Sequence, residues 1–315
     1  MIERMVNSFP IEKTFSSEFF LRLGDGQVWE FVAAEGTGSE VRQLGGMMRL
    51  KRSQQAADQS KLVFIRNGWG KGRHDKSIEG VGEDSGAYLI ELGWKAHPLN
   101  SIRLWSHDAV PDVICEFRYQ EGDQVQSILS LRLSLLPIYQ GAEQLGGLPL
   151  HSALVKHNDM GVMLAAPKKT GKSTCCSRFP SPWQVLCDEE TLIVRDDQKQ
   201  FVAHPFPTWS HYVAGDGKRT WDTQQYIPVA GIFFLEQSEK DQVVPLGQGE
   251  AAAFINQMAT QVCHRFWGNL SHDEVRAKKK RLFRNSCELA REIPTFKLSM
   301  SLEGRFWDQM EKVIF

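Results

Sequence analysis

The first 145 residues alternate short apolar runs with polar joints that contain glycine. The runs are four to seven residues long and rich in β-branched, aromatic or aliphatic side chains, which is typical of β-strands. They lie at Gln27–Ala33, Leu62–Ile65, Ala87–Leu92, Val113–Tyr119 and Ser127–Leu133. This pattern predicts a strand-rich α+β N-terminal domain over residues 1–145, with a role in substrate recognition or assembly.

After the glycine-containing stretch Gly141–Pro149, the pattern changes to strands that alternate with helices. Apolar runs predict strands at Leu150–Lys156, Gly161–Ala165, Gln184–Cys187, Thr191–Arg195, Gln200–His204, Val229–Leu235 and Phe296–Met300. Helical periodicity predicts helices at Thr174–Phe179, Gly249–Trp267, Ser271–Ile293 and Glu303–Phe315. Residues 146–315 are therefore predicted to form an α/β domain with a mixed sheet and flanking helices.

The composition of the chain excludes some classes of partner and site but does not indicate a function. The net charge of −1 gives no indication of nucleic acid or an anionic membrane as the main partner. The six cysteines have no CxxC spacing, which fits neither a disulfide framework nor a zinc site. The chain has no N-terminal apolar h-region and no run of 18 apolar residues. We therefore expect a soluble cytoplasmic protein.

One segment matches the pattern of a phosphate-binding loop, with alanine where glycine is usual at its first position. It follows the predicted strand Gly161–Ala165 and precedes the predicted short helix. In such a loop glycine lets the backbone approach phosphate oxygens, lysine supplies a positive charge and a serine hydroxyl ligates Mg²⁺. We predict that ATP and Mg²⁺ are bound by Ala166, Pro167, Lys168, Lys169, Thr170, Gly171, Lys172, Ser173 and Thr174.

Two neighbouring carboxylates, Asp188 and Glu189, come directly after the predicted strand Gln184–Cys187. A P-loop kinase needs an acidic partner that holds Mg²⁺ and accepts the proton of the attacking hydroxyl. We predict that one carboxylate holds the metal together with Ser173 while the other acts as the base, and the sequence leaves open which does which. An acidic turn that caps the strand is the alternative.

These segments together resemble the kinase core of HPr serine kinase, and most closely the peptide kinases of ribosomal-peptide cassettes, such as the lasso-peptide kinases and the SynChlorMet cassette protein ScmC. The resemblance spans residues 148–312 and depends on Leu150–Leu154, Gly161–Ala165, Gly171–Thr174, Leu186–Glu189, His204–Ser210 and Phe306–Trp307. It implies a P-loop HPr kinase-like core, with His151 near the γ-phosphate and with Asp188 and Glu189 in magnesium binding and serine activation. Such relatives form oligomers, so a homo-oligomer stays open.

The chain also departs from HPr kinase. Thr174 stands where that enzyme has an acidic residue, and Glu189 stands where its second carboxylate is usually aspartate. The sequence linked to its dephosphorylation activity is not found, which favours a dedicated kinase.

A glycine-containing basic loop, Gly215–Asp222, could bring a cation to the transferred phosphate, as arginine fingers do. Arg219 is the preferred candidate and Lys218 the next, although the loop could equally be a connector. Trp209 and Trp221 could line a peptide groove or pack in the core.

The sequence thus predicts an ATP-dependent kinase that phosphorylates a hydroxyl, with serine as the preferred acceptor, on a ribosomally made peptide or small protein. The alternatives are a small-molecule P-loop kinase, a regulatory nucleotide-binding protein without phosphate transfer, and a peptide-modifying protein that uses ATP only as an activator.

Overall fold

The computed structural model describes residues 16–51, 59–67, 86–120, 122–166, 170–215 and 221–315. The described residues divide into two compact units, and the chain passes from one unit to the other after residues 22, 26 and 137. Residues 23–26 belong with the C-terminal unit. Both units combine a sheet with helices, which confirms the predicted α/β character.

The first unit is built on a six-stranded mixed sheet of order β1-β2-β3-β6-β5-β4, in which β2, β3 and β6 run parallel. The strands are β1 (Ser16–Arg22), β2 (Val28–Ala33), β3 (Ser60–Arg66), β4 (Lys95–Leu99), β5 (Ile102–His107) and β6 (Val110–Phe117). The helices are α1 (Gly38–Met47), α2 (Gly86–Glu91) and α3 (Gln124–Ser134). Three of the predicted strands coincide with β2, β3 and β6, and the sequence did not predict β1, β4, β5 or α1.

Two predicted strands of this half are wrong. The run Ser127–Leu133 lies in helix α3, because Asp123 accepts a hydrogen bond from the backbone of Gln126 and starts the helix there. The run Ala87–Leu92 overlaps helix α2, which ends at Glu91, two residues before Gly93 with its φ of +87°. In both cases a residue that starts or terminates a helix outweighs the apolar content that indicated a strand.

The second unit is built on a nine-stranded mixed sheet. Its strands are β7 (Leu148–Leu150), β8 (Ser152–His157), β9 (Met160–Ala165), β10 (Gln184–Cys187), β11 (Glu190–Arg195), β12 (Phe201–Phe206), β13 (Ile227–Gln237), β14 (Gln242–Pro245) and β15 (Thr295–Met300). Their order is β10-β8-β9-β13-β12-β11-β7, with β15 also paired to β13 and β14 to β15. The strands predicted for this half are confirmed.

The remaining helices are α4 (Leu136–Gln144), α5 (Lys172–Arg178), α6 (Trp209–Val213), α7 (Gln248–Cys263), α8 (His272–Glu292) and α9 (Phe306–Ile314). The longest of these, α8, begins with a capping box in which the Ser271 and Glu274 side chains each accept a hydrogen bond from the other's backbone N–H. Within the described ranges, no helix has the length and apolar composition needed to cross a bilayer.

Strand directions in the second sheet bring three separate chain segments to one end of it. Strand β8 runs antiparallel to both β9 and β10, with Ser152 opposite Ala165 and Leu154 opposite Cys187. The start of β8 therefore lies beside the ends of β9 and β10. We call this end of the sheet the loop edge; His151, Ala166 and Asp188 occupy it in the three segments.

Candidate functional site

The predicted phosphate loop connects strand β9 to helix α5 at the loop edge. Its first residue, Ala166, is fully buried, and Pro167–Lys169 lie outside the described residues. Gly171 adopts φ of +97°, a left-handed conformation that glycine takes without the steric cost of a side chain. Its carbonyl accepts the first backbone hydrogen bond of helix α5, from Cys175 at 2.8 Å. The helix therefore starts at Lys172.

The Lys172 side chain is partly buried at the loop edge, and its Nζ lies 3.2 Å from Nε2 of His151. Burial lowers the pKa of Lys172, and electrostatic interactions with Cys187, Glu189, Cys176 and Asp188 oppose that shift. The Glu189 and Asp188 carboxylates act from a distance, because none of the described Asp or Glu side chains lies within ion-pair contact of Nζ. The cluster is thus a desolvated cation with acidic groups nearby but not bonded to it.

His151 is held at the start of β8 by a backbone hydrogen bond that its N–H donates to the Met258 carbonyl at 3.3 Å. Because the charged Lys172 ammonium can only donate, Nε2 of His151 accepts. The fold places His151 beside Lys172, and its position near a γ-phosphate stays a prediction.

Asp188 follows β10 and is only 5% exposed. Its Oδ1 accepts a hydrogen bond from the hydroxyl of Thr208, which in turn accepts one from the indole N–H of Trp221 at 2.9 Å. The β11–β12 hairpin brings these residues together, because Glu190 pairs with Phe206. The residues after β12 therefore return beside those before β11.

Glu189 has a different set of contacts from its neighbour. Its Oε2 accepts hydrogen bonds from the backbone N–H of Ser210 at 2.9 Å and from the Ser210 hydroxyl at 2.8 Å. Ser210 lies in the first turn of helix α6, where backbone N–H groups have no partner within the helix. One oxygen of Glu189 thus holds the start of α6, an arrangement that the sequence did not predict.

Ser173 and Thr174 are exposed in the first turn of α5. The predicted metal ligands Ser173, Asp188 and Glu189 offer hydroxyl and carboxylate oxygens, the ligand type that Mg²⁺ prefers. Across the described ranges, no group of three or more His, Cys, Asp or Glu residues is placed to hold a metal ion. The donor set fits Mg²⁺, which commonly keeps waters and substrate phosphate oxygens and takes one or two protein carboxylates.

The remaining candidate residues are the two cations and the two tryptophans. Arg219 and Lys218 lie outside the described residues, within 216–220. Trp209 is fully buried, so the groove hypothesis is wrong for this residue and it belongs to the core. Trp221 is half-buried and donates to Thr208.

Two polar residues of the loop edge were not singled out from the sequence. Thr208 contacts Asp188, and Gln237 at the end of β13 donates from Nε2 to the Thr170 carbonyl at 3.4 Å. Thr208 lies within the segment His204–Ser210 that contributed to the family resemblance, which is the signal that could have found it. Gln237 ends a strand parallel to β9, and strand ends of this kind meet at one edge of a sheet.

Comparison with known families gives one match. A family model described as SynChlorMet cassette protein ScmC matches residues 113–315, well over half of the chain, and this range contains every candidate site residue discussed above. No curated protein matches the chain.

Proposed function

We propose that this chain, which belongs to the SynChlorMet cassette protein ScmC family, is an ATP-dependent kinase with an HPr kinase-like P-loop core. It transfers the γ-phosphate of ATP to a hydroxyl, that of a serine in a ribosomally made peptide. The observation that carries the proposal is the partly buried Lys172, which faces His151 at the loop edge and has no described carboxylate in ion-pair contact.

An anionic ligand explains why a lysine occupies this position. A desolvated cation without an ionic partner costs free energy, so such a residue is retained where a ligand provides the missing charge. The nearest acidic groups belong to two residues whose described contacts are to Thr208 and Ser210. A nucleotide phosphate placed against the Lys172 ammonium and the loop backbone would supply the partner.

Transfer, rather than binding alone, is supported by Asp188. Its Oδ1 is held by Thr208, and a carboxylate fixed in this way can accept the proton of an attacking hydroxyl through its second oxygen. The serine oxygen then bonds to the γ-phosphorus, the bond to the β–γ bridging oxygen breaks, and ADP leaves. Mg²⁺ held by Ser173 and Glu189 would neutralise charge on the phosphates. His151 lies beside Lys172, where its ring would face the same phosphates.

The acceptor class rests on the family and on the resemblance. The family name describes a cassette protein, and the matched range contains the segments that resemble peptide kinases of ribosomal-peptide cassettes. A small-molecule kinase would share the phosphate site and differ in the acceptor. A regulatory nucleotide-binding protein would bind ATP and leave every acceptor unmodified.

Mass spectrometry of acceptors after incubation with ATP and Mg²⁺ separates these functions. Candidate peptides are those encoded by genes next to this one, and a metabolite mixture serves as the competing substrate. We expect one added phosphate on a serine of a peptide, with none when that serine is replaced by alanine. Phosphate on a metabolite alone would favour the small-molecule kinase. ATP binding without any phosphorylated product would contradict transfer.

The affinity for ATP is expected to fall as the pH rises from about 8 to about 10, a range in which the nucleotide phosphates are already fully ionised. Burial lowers the pKa of Lys172 in the free protein, and a bound phosphate would raise it again. Binding therefore takes up a proton between these two pKa values, so affinity decreases with rising pH. Calorimetric titrations at several pH values measure the slope.

Lys172→Arg is the matched variant for this pH dependence, because a guanidinium stays charged throughout the range. If the variant binds ATP, its affinity should be nearly independent of pH. A wild-type affinity that does not change with pH would contradict the role given to Lys172.

A further inference from the structure

Thr208 occupies a position where its side chain would ordinarily serve the helix that follows. It is the N-cap residue of α6, and threonine is favoured at N-caps because its hydroxyl accepts a hydrogen bond from the helix backbone. Here the hydroxyl makes no such bond. The start of α6 is held instead by Glu189, through the backbone N–H of Ser210. The Thr208 hydroxyl is therefore left for another contact.

That contact is directional. An indole N–H can only donate, so the hydroxyl oxygen of Thr208 must accept the hydrogen bond from Trp221. The hydroxyl proton is then directed to Oδ1 of Asp188. All of this takes place in a dry environment, since Thr208 is 2% exposed and Asp188 is 5% exposed. Hydrogen bonds to a carboxylate are stronger than neutral ones and hold it in one orientation.

We infer that Thr208 is a positioning residue for Asp188 and that Trp221 orients the Thr208 hydroxyl. The inference rests on the proposed function, in which Asp188 takes part in phosphate transfer. The hydrogen bond occupies Oδ1 and fixes the plane of the carboxylate. The second oxygen, Oδ2, has no partner among the described residues and remains for the serine proton. Neither Thr208 nor Trp221 contacts the reacting atoms.

Three single variants test this arrangement by steady-state kinetics. Thr208→Val keeps the shape of the side chain and removes the hydroxyl, and we expect kcat to fall about 10- to 100-fold with little change in the KM for ATP. Thr208→Ser restores the hydroxyl and should recover kcat to within about threefold of the wild type. Trp221→Phe keeps an aromatic ring, removes the indole N–H and should lower kcat severalfold.

A double variant, Thr208→Val with Trp221→Phe, tests whether the two residues act as one unit. Trp221 acts through the Thr208 hydroxyl, so the double variant should be no slower than Thr208→Val alone. Additive losses would overturn the relay from Trp221.

Matched controls separate positioning from general destabilisation. Thr295→Val makes the same change at a buried threonine whose hydroxyl donates to the Ile293 carbonyl, on a strand separated from β10 by β8, β9 and β13. Trp183→Phe removes an indole N–H that donates to Glu311. Both should keep wild-type kcat. If Thr208→Val does not fold, the kcat values of Thr208→Ser and Trp221→Phe are compared with those of these controls, and that comparison tests the positioning role.

The outcomes are distinct. A Thr208→Val protein with at least half the wild-type kcat, or a Thr208→Ser protein as slow as Thr208→Val, overturns the positioning role and leaves the kinase assignment intact. A wild-type protein that binds ATP but transfers no phosphate overturns the proposed function, and the positioning role falls with it.

Discussion

Lys172→Met is expected to make the protein more stable while abolishing its binding of ATP. Methionine matches the length of the lysine side chain and removes a charge that burial disfavours. The free energy of unfolding at neutral pH should rise by about 1 kcal/mol, the size typical of a stabilising change at a functional site. The same change removes the cation that the phosphate needs.

Thermal unfolding at several pH values, with and without ATP and Mg²⁺, measures both effects. The folded-state pKa of Lys172 is lowered, so the unfolded chain binds more protons between that value and the ordinary lysine pKa. The free energy of unfolding of the wild type therefore increases with pH through this interval. The difference in stability between Lys172→Met and the wild type should become smaller over the same interval. ATP should raise the unfolding temperature of the wild type and leave that of the variant unchanged.

Lys156→Met provides the matched control for this experiment. Lys156 lies near the far end of β8 and pairs with Asp159 at 2.7 Å, so its replacement should neither stabilise the protein nor affect ATP. A Lys172→Met protein that is less stable than the wild type, or that is still stabilised by ATP, would contradict the assignment of Lys172 to a phosphate site.

Asp188→Asn is expected to lower phosphate transfer by a factor of about 10³ or more while ATP binding is retained. The amide keeps an oxygen that can accept the Thr208 hydrogen bond, so the local structure should persist. It cannot take the serine proton. Single-turnover transfer to the peptide, measured beside equilibrium ATP binding, separates the two properties.

Two comparisons sharpen the Asp188 result. Glu189→Gln keeps an acceptor oxygen for Ser210, so a smaller loss of transfer than in Asp188→Asn is expected. Asp196→Asn changes a carboxylate that accepts from Gln200 in the β11–β12 turn, and transfer should be unchanged. An equal or greater loss in Glu189→Gln would assign the base to Glu189 instead.

The loop edge could be predicted from the sequence because its parts are local. An apolar strand, a glycine–lysine turn and a second strand ending in two carboxylates are each visible within a few residues. The antiparallel pairing of β8 with β9 and with β10 then places them together. By contrast, Ser127–Leu133 was misread because its apolar content suits a buried strand as well as a helix, and Asp123 decided the outcome.

The division of labour between Asp188 and Glu189 could not be predicted in the same way. Both are acidic residues at one strand end, and what separates them is the identity of their partners. Those partners, Thr208 and Ser210, lie about twenty residues later and arrive through the register of a hairpin. Neither composition nor spacing reveals which carboxylate a returning segment will contact.

Calorimetric titration of the wild-type protein with ATP, ADP, AMP and adenosine, each with Mg²⁺, tests the phosphate site most directly. Each added phosphate brings negative charge to Lys172 and the loop backbone, so the affinity should rise from adenosine to ATP. The account predicts this order of affinities for the wild type. In Lys172→Met, ADP and ATP should lose their higher affinity. Equal affinity for adenosine and ATP, or no nucleotide binding at all, would contradict it.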